Sequence, residues 1–174
     1  MIKQAKTRKE TANTMRRRVI IDTREQRPLA LTLPESAEIT RRVLTSGDYS
    51  LEGLEDVISI ERKSLDDWIG TILNARGRFC RELERLQTYC YAAVVIEGSL
   101  CDILSGRYKS KIKPDSLFGM GCQLMLQYSP VHFIYAHDRP HATRLVSELL
   151  ILADKNIPED YSLTSVECTC VEGD

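Results

Sequence analysis

Residues 92–96 read Ala-Ala-Val-Val-Ile, apolar at every position instead of at every second one. A strand with one face in water alternates, so an unbroken apolar run of this kind is a strand covered on both faces. That single segment demands a sheet with helices above and below it, a three-layer arrangement. The chain can supply one: 174 residues fit one domain, and 43% are hydrophobic, enough for a real core. With 28% charged residues it is not a disordered chain. No run of about 18 apolar residues exists to span a membrane, and no apolar block follows the charged N-terminus as a secretion signal requires.

The rest of the pattern fits that layout. Val19-Ile20-Ile21 ending at Asp22 predicts a buried strand, and 37–44 predicts a second. Ser46-Gly47-Asp48 is a turn into Tyr49-Ser50-Leu51, and 56–63 is a strand with Val57, Ser59, Glu61 and Lys63 on one face. Ser64 is a good N-cap, with Asp67 at the third helical position. A first helix buries Trp68, Ile69 and Ile72, and a second carries Phe79, Leu83, Leu86 and Cys90. Short helical material at 99–105 precedes a basic loop from Arg107 to Lys113. Then come a helix over 115–128, a strand over 131–135, and a last helix marked by Leu145, Leu149 and Leu152. The fold class is α/β, with a central mixed β-sheet flanked by helices on both faces.

Charge is uneven. Residues 1–18 hold seven bases against Glu10, and 156–174 hold five acids and no base. The reading is a flexible basic arm over 1–17, a domain over 18–155 and an acidic tail over 156–174. A basic arm suits a polyanion, although a solvated tail accounts for it as well. Six cysteines without a C-x-x-C pair, in a chain large enough to fold unaided, predict reduced thiols, with Cys80 and Cys90 packed on the second helix.

Chemistry concentrates in the acids at the strand ends: Asp22, Glu25, Asp48 and Glu61, with Lys63 two residues after Glu61 and on the same side. Clustered carboxylates repel one another, and a hard divalent cation relieves that repulsion. Such a cation activates water and stabilises charge on a phosphate, while a neighbouring lysine orients or deprotonates the nucleophile. Taken alone, Asp-x12-Glu-x-Lys is unspecific, and an ion pair on a solvated strand face explains Glu61 and Lys63 more simply.

The surrounding words are more specific. Val-Ile-Ile-Asp-Thr-Arg-Glu at 19–25, Gly47-Asp48-Tyr49 and Glu61-Arg62-Lys63-Ser64-Leu65-Asp66-Asp67 resemble the signatures of the ERCC4-type nuclease domain of the XPF/Mus81/Hef family of structure-specific endonucleases. Its G-D…E-R-K-x-x-x-D motif is met at Gly47, Asp48, Glu61, Arg62, Lys63 and Asp67, and its D-x-R-E at Asp22, Arg24 and Glu25. Gly77-Arg78-Phe79 and Ile96-Glu97 are similar to the family's following helix and strand. The resemblance implies a restriction-endonuclease-like core, dependence on Mg²⁺ or Mn²⁺, and cleavage of branched, flap or fork DNA near junctions. It implies Asp48 and Glu61 as metal ligands, Asp22 and Glu25 completing the acidic pocket, and Lys63 as base or water-orienting residue. The Arg62 side chain points to the opposite strand face, and Asp67 is either catalytic or a helix cap. Arg24, Arg62, Arg78 and Arg81 are implied DNA contacts, as are Arg107, Lys109, Lys111 and Lys113 in the basic loop and Arg16, Arg17 and Arg18 in the arm.

Family members pair through their nuclease domains, so a homodimer is expected, through the helices of 115–155. The helix-hairpin-helix domain usual in the family is not found in this sequence, which makes a separate DNA-binding partner an expectation too. The alternative is a non-catalytic DNA-binding scaffold subunit; such partners tend to lose the acids and lysine that stand here. An enzyme of small phosphate esters is disfavoured, since no G-x-x-x-x-G-K-[ST] cradle occurs. The expected setting is the cytoplasm of a bacterial or phage-infected cell.

Overall fold

The computed structural model describes residues 14–158 and Tyr161. In chain order the elements are β1 (Val19–Asp22), β2 (Ile39–Arg42), β3 (Tyr49–Leu51), β4 (Ile58–Ser64), α1 (Leu65–Asn74), α2 (Arg76–Leu86), β5 (Tyr91–Glu97), α3 (Leu100–Leu104), α4 (Pro114–Gln127), β6 (His132–Tyr135) and α5 (Arg139–Asn156). The strands form one mixed sheet in the order β2-β1-β3-β4-β5-β6. β3 runs antiparallel to both β1 and β4, whereas β4, β5 and β6 are parallel to one another.

β5 lies at the centre of the packing, as its sequence requires. Ala93 and Val95 join Ile58, Ile60, Tyr49 and the Ala142–Val146–Leu150 seam of α5 on one face. Ala92, Val94 and Ile96 join Trp68, Ile72, Phe79, Leu83, Leu117 and Leu124 from α1, α2 and α4 on the other. Among the described residues no helix is long and apolar enough to cross a membrane.

One local expectation needs correction. Cys90 is not on the second helix: α2 ends at Leu86, and Cys90 is exposed in the turn before β5, its thiol 2.7 Å from the Tyr161 hydroxyl. In α5 the buried seam is Ala142, Val146 and Leu150, while Leu152 is about half exposed. Leu145 and Leu149 flank that seam, half-buried. Cys80, Cys90, Cys101 and Cys122 are free thiols.

Residues 1–13 of the expected arm and most of the expected tail lie outside the described residues. The described part of the arm packs closely. Met15 is buried in the core, and the buried Asp154 carboxylate on α5 accepts from the Arg16 and Arg17 amides at 2.7 and 3.1 Å and from the Arg17 guanidinium at 3.3 Å. Arg17 also donates to the carbonyls of Asp154, Ile157 and Pro158. Asp154→Ala removes an acceptor shared by several donors, so a loss of about 3 kcal/mol is expected in urea unfolding. A change below about 0.5 kcal/mol would show that the contact carries no stability.

Candidate active site

Strand directions decide where the acids meet. Because β3 is antiparallel to both neighbours, the end of β1, the start of β3 and the end of β4 share one edge of the sheet. Asp22 closes β1, Asp48 immediately precedes β3, and Glu61 and Lys63 lie in the second half of β4. The backbone joins them: the Asp22 amide donates to the Asp48 carbonyl at 2.8 Å and the Asp48 amide to the Ile60 carbonyl at 2.9 Å. The turn requires glycine at 47, where φ is +76° and a side chain would run into Ser59.

An open cleft of about 370 Å³ forms at this edge, beneath α2. Asp22, Asp48, Glu61 and Lys63 line it together with Arg24, Arg78, Glu82 and Arg85. Asp48 and Glu61 also line an adjoining cavity of about 240 Å³ shared with Glu25, Arg62 and Asp67. These two carboxylates therefore stand between the two openings.

Their surroundings differ sharply from those of the other acids. Burial, with the Glu61 charge next, raises the Asp48 carboxyl well above the ordinary carboxylate range. Burial also raises Glu61, opposed by Lys63 and reinforced by Glu82 on α2. Lys63 Nζ lies 2.7 Å from Glu61 Oε1 and 4.8 Å from the Phe79 ring centroid. Burial works against its ammonium, but Glu61, joined by Glu82 and Asp48, raises its pKa. Asp22, in contrast, is saturated. One oxygen accepts from the Arg24 amide and Nε at 2.7 and 2.8 Å, the other from Arg24 Nη2 and the Leu44 amide at 2.9 and 2.6 Å. Burial opposes its ionisation, yet these donors together hold its carboxyl below the ordinary value. Four bonds occupy its two oxygens in this arrangement, so Asp22 fixes Arg24 in the lining of the cleft. Glu25 accepts from the Arg27 amide at 2.5 Å and from Arg62 Nε at 3.3 Å.

Among the described residues no group of three or more His, Cys, Asp or Glu side chains is arranged to hold a metal ion. The donor set still suits a hard divalent cation. Asp48 and Glu61 are crowded acids with the Lys63 ammonium paired to Glu61, and a cation there would relieve the crowding.

The other sequence candidates scatter. Asp67 is exposed; its amide donates to the Ser64 hydroxyl at 3.1 Å and that hydroxyl donates back to its carboxylate at 2.6 Å, which is a helix cap, although it also lines the smaller cavity. Arg62 is buried on the far face of β4, between Glu25 and Glu97. Arg78 lines the cleft, and Arg81 is exposed one turn along α2. Arg107 pairs with Asp102 and Lys109 with Asp66, while Lys111 and Lys113 are exposed in the same loop. Arg18 pairs with Glu38 and Glu52 at the start of β1, the end of the strand away from the cleft, where Arg16 and Arg17 are tied to α5.

The sequence reading missed Glu82 and Arg85. Glu82 follows Phe79 by three residues on a helix whose Phe79 faces the cleft, so the same periodicity that predicts the core could have placed it there. Arg85 anchors the turn as well, donating to the Ser46 hydroxyl at 3.0 Å.

A mixed sheet carrying an acid-and-lysine cleft at one edge defines a nuclease-type α/β domain. The chain belongs to the ERCC4 domain family, which matches residues 21–149. No curated protein matches the sequence. Among solved structures it is similar to XPF from Aeropyrum pernix, at TM-score 0.59 and 23% identity over 80% of this chain and 66% of that one. It is also similar to XPF from Aeropyrum pernix in complex with DNA, at TM-score 0.57 and 26% identity over 86% of this chain and 70% of that one. The chain thus spans about two thirds of the XPF chain, and the fold is the restriction-endonuclease-like one of XPF nuclease domains.

Proposed function

We propose that this chain is a divalent-metal-dependent DNA endonuclease that hydrolyses phosphodiester bonds in branched or single-strand/duplex junction DNA. The observation that carries the reading is the wall formed by Asp48 and Glu61 with the Lys63 ammonium 2.7 Å from Glu61, in a cleft edged by Arg24, Arg78 and Arg85. The family match supports nuclease chemistry, and the XPF structure solved with DNA supports a nucleic-acid substrate.

Each residue has a part. Asp48 and Glu61, with Glu25 completing the acidic pocket in the adjoining cavity, would hold Mg²⁺ or Mn²⁺, which would supply Lewis-acid stabilisation of charge on the phosphate. Lys63, an ammonium paired with Glu61, orients the attacking water and offsets charge on the phosphoryl oxygens. Arg24, itself set by Asp22, joins Arg78 and Arg85 in meeting the DNA backbone, which places the substrate without reading its sequence. Asp67 caps α1. A homodimer, and a separate partner that grips duplex DNA, are the assemblies this reading carries.

A second reading is the non-catalytic DNA-binding scaffold subunit, in which Arg24, Arg78 and Arg85 at the cleft meet the DNA backbone and no bond is cut. Labelled single-stranded, duplex, flap, fork and four-way DNA separates the two. With Mg²⁺ or Mn²⁺, flap and fork substrates should be nicked near the junction, and EDTA should stop the reaction. Binding without cleavage under every metal condition would overturn the endonuclease reading in favour of the scaffold.

A further inference from the structure

The segment between β1 and β2 carries Glu25 yet has no regular secondary structure, so its backbone carbonyls must find donors elsewhere. Three arginines from three different elements supply them. Arg41 on β2 donates to the carbonyls of Asp22 and Glu25 at 3.2 and 2.6 Å. Arg62 on β4 reaches Glu25 Oε2 at 3.3 Å and the Arg27 carbonyl at 3.4 Å. Arg139, the first residue of α5, donates to the carbonyls of Arg27 and Pro28 at 2.6 and 2.8 Å. Its other terminal nitrogen donates to Glu97 Oε1 at 2.8 Å, and Glu97 lies 3.6 Å from Arg62. Glu25, Arg62 and Glu97 are all nearly buried, and these contacts form a line of charge from α5 to Glu25, which lines the smaller cavity with Asp48 and Glu61.

We propose that Arg139 is a positioning residue: it latches the 23–28 loop onto β5 and α5 and so holds the Glu25 carboxylate in the smaller cavity beside Asp48 and Glu61. The inference rests on the endonuclease reading above for its effect on turnover, and on geometry alone for the latch. Arg139 lines neither cavity. Its leverage comes from the planar guanidinium, which bridges one carboxylate and two carbonyls at once. A lysine in its place keeps the charge beside Glu97 but cannot span all three acceptors. A loop displaced by about 1 Å is enough to cost a large factor in rate when the group it carries is part of the reacting geometry.

The experiment compares Arg139→Lys in two backgrounds. In the otherwise wild-type chain it should lower kcat about 10-fold, leave KM for flap DNA within about twofold and barely move the melting temperature. In a Glu25→Ala background the same change should have no further effect on kcat, because the latch acts through Glu25. A rise in KM with kcat unchanged would make Arg139 a DNA contact and overturn the proposal. So would an undiminished effect of Arg139→Lys when Glu25 is gone. Amide exchange reads the latch without any turnover: protection at Arg27, whose amide donates to Glu25, should fall in Arg139→Lys while α5 stays protected. Unchanged protection at Arg27 refutes the latch, whereas lost protection in a chain that cuts no DNA refutes only the endonuclease reading.

Discussion

Glu61→Gln is expected to reduce metal-dependent cleavage by about 10²–10⁴ while the protein stays folded, and Lys63→Ala to do the same. The two should part company in stability. Glu61 is a buried carboxylate that feels Asp48 and Glu82 as well as Lys63. Removing its charge costs the 2.7 Å pair with Lys63 but relieves repulsion from both other acids, so the two effects offset. Removing Lys63 takes away the cation paired with Glu61 and leaves Glu61 buried beside Asp48 and Glu82, together with a lost contact on Phe79. Lys63→Ala should therefore unfold about 2 kcal/mol more easily than Glu61→Gln in urea. Cleavage at the wild-type rate by both variants would remove these residues from the chemistry. Equal stability of the two would mean that the acids are not crowded.

That asymmetry was only half visible in the amino-acid pattern. Spacing alone puts Glu61 and Lys63 on one side of a strand, because alternation is a local property of the backbone. The doubly apolar run at 92–96 likewise fixed a buried central strand, and Ser64 with Asp67 a helix start, since each depends only on near neighbours. What a carboxylate does depends on donors that arrive from far along the chain. Asp22 has the same spacing credentials as Asp48, but the Leu44 amide, 22 residues away, and the Arg24 fork occupy its two oxygens. Alternation correctly turns the Arg62 side chain away from Glu61, yet Glu97 and Arg139, which give that side its purpose, meet it only through the β4–β5 pairing and the docking of α5. The same limit explains α5. Leucine spacing marked a helix, but the stripe that meets the sheet is Ala142, Val146 and Leu150, which depends on long-range packing.

Gly47→Ala is the substitution outside the charged residues with the largest expected effect. Residue 47 sits at φ +76°, where an L side chain costs about 1–2 kcal/mol by itself. The added Cβ would collide with Ser59 Oγ and come within 3.2 Å of the Ile60 carbonyl oxygen. Ser59 cannot simply swing away, because it is fully buried and its hydroxyl donates to the Ser46 carbonyl at 2.9 Å, within the same turn. Strain and overpacking together should cost about 2–5 kcal/mol, read in urea unfolding. The damage should also fall on the chemistry, since the neighbouring Asp48 is positioned by its amide bond to Ile60 and by the Arg62 amide on its carboxylate at 2.7 Å. Pairing the change with Ser59→Ala separates the two costs. Deleting the hydroxyl removes the collision but not the backbone strain, so the double variant should regain about 1 kcal/mol over Gly47→Ala and remain well below the parent. No recovery at all would mean that the collision with Ser59 is not what the glycine avoids. Full recovery would mean that the left-handed backbone at 47 carries no cost.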